Sequence, residues 1–354
     1  MKKVAILTIT NSGLNFGNRL QNYALQKVLE EQELKVETII SSKSVKNNLI
    51  LSKGRRVLKI ISKRDKRSKF FREFNKKYIK FSDTVRYENI NESVFSDKYD
   101  AFFSGSDQVW NPNFHFNSDF EFASFAPKNK RYSYAASIGV SEIKDEQIEA
   151  FVKNINGMNS ISVREADSIE LIKKLTGRDA FLHVDPTMLL EKNVYEEMEC
   201  IPPQGLPPKY LLTYFLGSVT EEYKKNIQKL SEALGTEIIE LSEWKGSKYY
   251  DIGPQHFLYV INHAEYICTD SFHGSVFSIL FHKNFSMMQR VGNDISMNSR
   301  ILTLAQKFGI EQRIDNNLDL SIAKTPIDYI AVDRILEDER NKAKNYIKNI
   351  CRRG

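Results

Sequence analysis

The sequence has little cysteine and no long apolar run. Its three cysteines, Cys200, Cys268 and Cys351, are far apart and odd in number, which excludes a disulfide framework and a cysteine zinc site. No stretch has the roughly 20 apolar residues that a membrane-spanning helix needs. The N-terminal MKKVAILTITNSG begins like a signal peptide, but its apolar run is short and no small-residue cleavage site follows, so it predicts a β-strand. These absences favour a protein of the reducing cytoplasm.

The sequence also lacks the common cofactor-binding motifs. It contains neither G-x-G-x-x-G nor G-x-x-x-x-G-K-[ST], the glycine-rich loops that hold dinucleotides and nucleoside triphosphates. Its six histidines do not cluster with acids at ligand spacing, which argues against a metal centre. No recognised nucleic-acid-binding motif occurs either. We therefore expect no cofactor, no metal and no nucleic-acid partner.

The chain is long enough for two domains, and strands alternate with helices along it. Its 354 residues, 41% hydrophobic and 27% charged, are typical of a globular protein with two cores. We predict two Rossmann-like, doubly wound α/β domains facing a cleft, with a basic helical insertion in the first. The proline-rich CIPPQGLPPKY is the predicted linker. The predicted domains are 1–200 and 209–332, and we expect the C-terminal helix, 333–354, to pack on the first domain.

Hydrophobic periodicity indicates the individual elements. KVAILTIT, KVETII and EYICTD have the length and composition of buried strands. After the first strand, Leu20, Ala24 and Val28 share one face of a predicted helix, and ADSIELIKKLTG predicts a helix that ends at Gly177. The chain ends in a charged helix, AVDRILEDERNKAKNYIKNI. Polar clusters follow several strands, which is where parallel sheets bind ligands.

The net charge of +6 is concentrated in residues 53–77, KGRRVLKIISKRDKRSKFFREFNKK, whose only acids are Asp65 and Glu73. One interpretation is a solvated helical hairpin with an apolar underside. The other is a surface that binds anionic lipid or a pyrophosphate-linked substrate. The second interpretation predicts a cytoplasmic protein in peripheral contact with the anionic inner face of a membrane.

TDSFHGSVFSILFHK, which begins at Thr269, places one histidine at a predicted helix start. The strand EYICTD leads into it, and Val276 and Phe277 begin a helical apolar pattern, so Ser271 is the predicted N-cap. A helix N-terminus at the carboxyl end of a strand is suited to anions. On position alone, His273 is more often a capped or packed residue than a catalyst.

Six motifs in this order, NFGNRLQNYALQ, SGSDQVWNP, YAASIG, SVRE, VDPT and TDSFHGSVFSILF, resemble the polysaccharide pyruvyl transferase family. They are spread over residues 15–281, and several motifs in register are more specific than any one of them. The resemblance implies a fold similar to GT-B glycosyltransferases. It also implies transfer of the pyruvyl group of phosphoenolpyruvate onto a sugar of a surface polysaccharide, or of its lipid-linked precursor, as a ketal. Phosphoenolpyruvate is then a donor substrate and not a cofactor.

The resemblance implies roles for individual residues. His273 matches the family's motif histidine, and a histidine suits both proton delivery and phosphate stabilisation. Arg164 of SVRE matches an arginine expected to clamp the donor's phosphate or carboxylate; a surface salt bridge with Glu165 is the alternative. The predicted donor-binding residues are Arg164, Asp270, Ser271, Phe272, His273 and Gly274.

One position departs from the family pattern. Many members have Asp-Arg-Leu-His-Gly where this chain has DSFHG at 270–274, so Ser271 stands in the place of a donor-binding arginine. A serine caps a helix and donates one hydrogen bond, but it supplies no charge. Either another cation replaces the arginine, with Arg19, Lys245 and Arg290 as candidates, or the donor is not phosphoenolpyruvate.

Polar residues after the earlier strands form the predicted acceptor side. Asp107 is the candidate base for the attacking hydroxyl, with an Asx turn as the alternative. Trp110 stacks on a sugar ring or is a packed indole, and Asn18 binds acceptor or caps the first helix. Asp185 is interpreted as shaping a turn. The predicted acceptor-binding residues are Asn15, Asn18, Asn22, Ser106, Gln108 and Trp110.

Two other functions stay open at this point. A GT-B-type glycosyltransferase would use the same helix N-terminus to hold the diphosphate of a nucleotide sugar. A non-catalytic saccharide-binding protein would bind the acceptor and consume no donor. The mass of the product distinguishes all three, because a pyruvyl adduct, a hexose adduct and no adduct differ.

Overall fold

A computed structural model of the chain describes residues 1–10, 13–42, 65–86, 92–114, 118–242, 245–291 and 298–353. It divides into two compact units: unit 1 is Met1–Leu189 with Glu339–Gly354, and unit 2 is Leu190–Asp338. Each unit contains a parallel sheet with helices, so the prediction of two Rossmann-like α/β units is confirmed. Residues 53–64 of the basic segment, with Lys63 and Arg64, lie outside the described residues.

The sheet of unit 1 has the order β3-β2-β1-β4-β5, and its neighbours pair in parallel. Bridges from Tyr132 to Ser160 and from Ala136 to Val163 extend it towards the parallel pair β6-β7. Every residue of β4 is buried, as expected for a parallel strand covered on both faces. The strands are β1 Lys3–Leu7, β2 Lys35–Ser42, β3 Phe81–Arg86, β4 Ala101–Ser104, β5 Arg131–Ser133, β6 Ser162–Val163 and β7 Phe181–Leu182.

Two helices of unit 1 follow the pattern predicted from their apolar residues and caps. Leu20, Ala24 and Val28 are buried on the first helix, and Gly177, with φ 69°, ends the helix after SVRE in the left-handed region that glycine favours. These helices are α1 Phe16–Glu30, α2 Lys66–Tyr78, α3 Glu92–Ser96, α4 Asp145–Gly157 and α5 Ala166–Thr176.

Unit 2 contains a four-stranded parallel sheet of order β11-β10-β8-β9. Its strands are β8 Tyr210–Tyr214, β9 Glu237–Leu241, β10 Tyr266–Thr269 and β11 Phe285–Met287. Its helices are α6 Lys192–Glu196, α7 Glu221–Leu234, α8 Pro254–Asn262, α9 Phe272–Leu280, α10 Asn298–Phe308, α11 Leu320–Lys324 and the first part of α12, Tyr329–Arg353.

The units change at Leu189, before the proline-rich segment in which the sequence placed the boundary. Hydrogen bonds explain the difference, because they tie that segment to α8 of unit 2. The N–H of Cys200 donates to the carbonyl of Gln255, and the Gln255 side chain donates to the carbonyl of Met198. In the last part of α12, which belongs to unit 1, the Tyr346 hydroxyl donates to the carbonyl of Ser133.

Helix α2 contains the described end of the basic segment, and its two faces differ. Phe71, Phe74 and Arg67 are buried; the Arg67 guanidinium donates to the carbonyl of Leu14 and lies 4.6 Å from the centre of the Phe16 ring. The exposed face carries Lys66, Lys69, Arg72, Lys76 and Lys77. The described part therefore has the predicted apolar underside. None of the described helices combines the length and apolarity needed to cross a bilayer.

Among the described strands, the order reverses between β1 and β4 in the larger sheet of unit 1 and between β8 and β10 in the sheet of unit 2. Ligands of doubly wound sheets bind outside the carboxyl ends of the strands at this switch point. In unit 1 the described residues between β1 and α1 and the segment Gly105–Asp107 lie there. In unit 2 the segment Phe215–Gly217 and the start of α9 lie there.

Candidate functional site

Asp107 lies at the switch point of unit 1, just after β4, and its side chain is partly exposed. One carboxylate oxygen accepts the Asn18 amide at 3.0 Å and the other accepts the N–H of Gln108 at 2.9 Å. Its φ of 78° is uncommon for a residue other than glycine. A side chain held in a strained backbone at a switch point is a candidate for function, so Asp107 stays our predicted base.

Of the three asparagines at the start of α1, one contacts Asp107 and the other two have structural roles. Asn15 is the N-cap of α1, since its side chain accepts the N–H of Asn18 at 2.9 Å; the alternative that Asn18 is the cap is therefore wrong. Asn22 is buried and accepts the Thr38 hydroxyl at 2.8 Å. Of the three asparagines predicted to bind acceptor, Asn18 is the one hydrogen-bonded to Asp107.

Arg19 is next to this pair and is a buried cation. Its guanidinium donates to the Asn18 side chain and, at 3.4 Å, to the carbonyl of Gly13. Burial lowers the pKa of Arg19 to about 10, while the nearby Asp107 carboxylate opposes the shift. Arg19, Asn18 and Asp107 thus form a chain of polar contacts along the amino end of α1.

Arg164 joins two neighbouring strand ends of unit 1 and is 4% exposed. One of its Nη atoms donates to Asp185 at 2.7 Å and to the Ser106 hydroxyl at 3.2 Å, and its Nε is 3.6 Å from Glu165. Burial opposes the charge, but the attraction of Asp185, Glu165 and Asp107 together raises the pKa of Arg164. Its pairing is therefore buried, and the surface salt bridge considered as an alternative is wrong.

Ser106, Gln108 and Trp110 are packed inward. The Ser106 hydroxyl is fully buried and donates to Asp185 at 2.7 Å. The Gln108 amide oxygen accepts the Asn111 side chain at 2.7 Å. The Trp110 indole has no exposed surface and stacks on Phe122 with 4.9 Å between ring centres. The structure thus realises the packed-indole alternative and leaves no face of Trp110 open to a sugar.

Two carboxylates that sequence reasoning did not assign to the site lie within this cluster. Asp185 accepts Ser106 and Arg164 with one oxygen and the Thr187 hydroxyl with the other. Glu165 is 1% exposed and accepts the hydroxyls of two serines, Ser137 and Ser168. Both carboxylates belong to motifs that carry the family resemblance, VDPT and SVRE. Their place in these motifs is the sequence signal that could have assigned both carboxylates to the site.

In unit 2, the start of α9 has the predicted strand-to-helix geometry. Ser271 is the N-cap: its hydroxyl accepts the N–H of Gly274 at 3.2 Å, and its own N–H donates to the Thr269 hydroxyl at 3.0 Å. A Cβ on Gly274 would lie 2.5 Å from the Thr269 hydroxyl oxygen. Only glycine therefore lets the first turn of α9 approach the strand end this closely.

His273 is the second residue of α9 and is 8% exposed. Its ring makes an edge contact with Phe272, 5.4 Å between centres. The positive end of the helix dipole favours negative charge at this end of α9. An imidazole in this place has the chemistry to stabilise an anion and to transfer a proton.

Asp270 holds the two sides of the switch point of unit 2 together. Its carboxylate oxygens accept the N–H groups of Leu216 and Gly217, each at 2.7 Å. One of these oxygens also lies 3.4 Å from Nε of Arg290, which follows β11. The loop after β8, the start of α9 and the segment after β11 are thus joined at one carboxylate.

The site residues divide between the two units. Unit 1 brings together Asp107, Asn18, Ser106 and Arg164, and unit 2 brings together Asp270, Ser271, His273 and Arg290. Among the described residues, no three His, Cys, Asp or Glu side chains are grouped so as to hold a metal ion.

A model of the polysaccharide pyruvyl transferase family matches residues 15–288. No curated protein sequence matches the chain significantly. A putative UDP-N-acetylglucosamine 2-epimerase from Listeria monocytogenes aligns with a TM-score of 0.48 and 11% identity, over 95% of this chain and 94% of that one. The UDP-GlcNAc 2-epimerase of Neisseria meningitidis bound to UDP-GlcNAc aligns with a TM-score of 0.48 and 10% identity, over 96% of this chain and 100% of that one. Arabidopsis thaliana UGT89C1 complexed with UDP-L-rhamnose aligns with a TM-score of 0.46 and 10% identity, over 96% of this chain and 94% of that one.

Proposed function

The chain belongs to the polysaccharide pyruvyl transferase family, and from that premise we propose that it transfers the pyruvyl group of phosphoenolpyruvate onto hydroxyls of a saccharide. The observation that carries the proposal is the start of α9, where His273 and the Ser271 cap lie at the switch point of a parallel sheet. A helix N-terminus with a buried imidazole suits a small donor that carries a phosphate and a carboxylate.

The reaction determines what these residues have to do. One acceptor hydroxyl oxygen bonds to C2 of the enol phosphate while the methylene carbon gains a proton and becomes a methyl group. A second hydroxyl oxygen then bonds to C2, and the bond between C2 and the phosphate oxygen breaks. Of the two hydroxyl protons, one ends on the methyl carbon and the other on the departing phosphate. The product is a cyclic ketal, and no electrons are exchanged with a cofactor.

His273 is the proposed proton carrier of this sequence. An imidazole can give a proton and recover it within one turnover. The positive end of α9 also favours the phosphate as its negative charge increases on departure. Ser271 and Gly274 maintain the first turn in the geometry that this role needs.

In unit 1 we propose that Asp107 accepts the proton of an attacking hydroxyl. Its carboxylate already accepts hydrogen bonds from Asn18 and Gln108, which fix its orientation at the turn. Ser106 and Arg164 are packed behind the same turn through Asp185, so they position it. We still predict that Arg164 binds the donor anion directly. In that role its guanidinium would bind the anion while it stays paired with Asp185 and Glu165.

The test is to incubate the protein with phosphoenolpyruvate and saccharide acceptors, including lipid-linked oligosaccharides, and to measure phosphate release and product mass. Phosphate release with one pyruvyl ketal per acceptor supports the proposal, provided that His273→Ala abolishes both. Parallel reactions contain nucleotide sugars. A hexose adduct there would replace the proposal with a glycosyltransferase. Binding of acceptor without any adduct would replace it with a saccharide-binding protein.

A further inference from the structure

Arg290 is placed by the sheet at the same edge as the start of α9. It follows β11, which is paired in parallel with β10, and α9 follows β10. The carboxyl ends of parallel neighbours lie at one edge. Arg290 is only 8% exposed there, although a lone arginine is rarely so buried unless it is paired or serves a ligand.

Its stem is fixed by close packing. A Cβ on Gly217 would lie 3.3 Å from Cγ of Arg290 and 2.9 Å from a carboxylate oxygen of Asp270. The glycine therefore lets the loop after β8 close over both side chains. Asp270 in turn is held by the N–H groups of Leu216 and Gly217. Nε of Arg290 thus lies 3.4 Å from the carboxylate of Asp270, the residue that precedes the Ser271 cap of α9.

The charges around this guanidinium leave capacity for an anion. Within the part of the chain that the structure describes, Nε of Arg290 has no hydrogen-bond partner, and its ion pair is the 3.4 Å contact with Asp270. The Asp270 carboxylate is shared with two backbone N–H groups. The positive end of α9 adds to the positive potential of Arg290. The single negative charge of Asp270 is thus shared among Arg290, two backbone N–H groups and the N-terminus of α9.

The other two candidate cations lie in different surroundings. Arg19 belongs to unit 1 and is engaged with Asn18 and Gly13. Lys245 belongs to unit 2 but is exposed to solvent. Arg290 is the candidate that is both buried and in contact with the motif 270–274.

We propose that Arg290 is the cation that binds the phosphate of the donor at the start of α9, with Asp270 as its positioning residue. Arg290 then supplies from the neighbouring strand end the charge that Ser271 lacks. A guanidinium can bind a phosphate through two parallel hydrogen bonds, which an ammonium cannot reproduce. The identity of the donor rests on the proposed function, whereas the anion site itself does not.

The experiment compares Arg290→Ala and Arg290→Lys with the parent protein. Arg334→Ala is the matched control, because Arg334 is an exposed arginine of unit 2 whose neighbour Asp333 contacts His282, beyond the other end of α9. We expect Arg290→Ala to raise the KM for phosphoenolpyruvate about 10- to 100-fold, the range of a charged hydrogen bond, and to lower kcat less. Arg290→Lys should recover part of this loss, and Arg334→Ala should match the parent.

A second measurement uses inorganic phosphate alone, as a protecting ligand in thermal unfolding and as a competitor of the donor. Phosphate should raise the melting temperature of the parent and of Arg334→Ala, but not of Arg290→Ala. Asp270→Asn should weaken phosphate binding in the parent and add little in the Arg290→Ala background, because the two residues act as one unit.

The two proposals fail in different ways. If the parent transfers pyruvyl groups while Arg290→Ala keeps the KM for donor and the protection by phosphate, the role of Arg290 is overturned and the proposed function stands. If the parent transfers no pyruvyl group but phosphate protects it through Arg290, the anion site stands and the donor is wrong. If phosphate protects neither parent nor variant, and KM is unchanged, Arg290 has no role in anion binding.

Discussion

The Arg164 guanidinium lies 2.7 Å from the Asp185 carboxylate, and both side chains are almost completely buried. Arg164 follows β6 and Asp185 follows β7, so the pair joins two neighbouring strand ends of unit 1. The same Asp185 oxygen accepts the hydroxyl of Ser106, which precedes Asp107. The turn that carries the predicted base is therefore fixed by an ion pair behind it.

Arg164→Ala should lower the free energy of unfolding of unit 1, because it leaves Asp185 and Glu165 buried without their counter-charge. Breaking a buried pair in this way costs about 3–5 kcal/mol, which urea unfolding measures. Arg164→Lys keeps the charge but loses the planar fork, so we expect it to recover stability more fully than donor affinity. Complete recovery of donor affinity by lysine would contradict the clamp role and leave a positioning role.

His273→Ala should reduce transfer by about 100-fold or more, the usual contribution of a general acid or base, with little change in melting temperature. Turnover under saturating donor and acceptor is the measurement. Ser278→Ala, on the same helix and bonded to the carbonyl of Gly274, is the control for a disturbance of α9. A folded His273→Ala protein with near-normal turnover would exclude the histidine from the chemistry.

Asp107→Asn should also reduce turnover by about 100-fold or more, because the amide cannot take the hydroxyl proton. Asparagine tolerates a positive φ as well as aspartate does, so the turn should persist and the melting temperature should change little. Asp107→Ala adds the backbone strain of a positive φ and should destabilise the protein as well. Equal turnover of parent and Asp107→Asn would assign the carboxylate to the turn alone.

Acid should destabilise unit 2 through His256. Burial lowers the pKa of His256 from 6.5 to about 4, and its ring nitrogen accepts the N–H of Gly253 at 2.9 Å. Between these two pH values the unfolded chain binds a proton that the folded protein excludes, so the free energy of unfolding falls as pH drops from about 6.5 to about 4. His256→Gln should show a shallower fall in this window. An unchanged slope would remove His256 as the cause.

The exposed face of α2 should contribute to binding at anionic membranes. Replacing Lys66, Lys69 and Lys76 by glutamine should weaken co-sedimentation with phosphatidylserine vesicles, since each surface cation contributes about 1 kcal/mol near an anionic leaflet. The difference should shrink as salt rises, and turnover on a short soluble acceptor should stay unchanged. Arg67 is left intact because it is buried. Equal vesicle binding by parent and variant would leave α2 as a solvated helix.

The sequence by itself determined the alternation of elements and the family. Buried strands such as β1 and β10 are recognisable as short apolar runs. The N-cap role of Ser271 is predictable because its hydroxyl directly precedes a helical apolar pattern. These are local properties, because capping and periodicity depend on residues within one or two turns of each other. The family motifs are local strings as well, and the match over residues 15–288 confirms them.

Tertiary structure alone decided which polar residues meet. Arg164 and Asp185 are separated by 21 residues, and Asp270 is 53 residues from the N–H of Gly217; only the parallel pairing of strands brings these groups to one sheet edge. Burial is likewise set by distant neighbours: Trp110 is covered by Phe122, and Arg67 by Phe16. A charge pattern cannot show which arginine is enclosed, because the energy of a buried charge depends on partners that folding supplies.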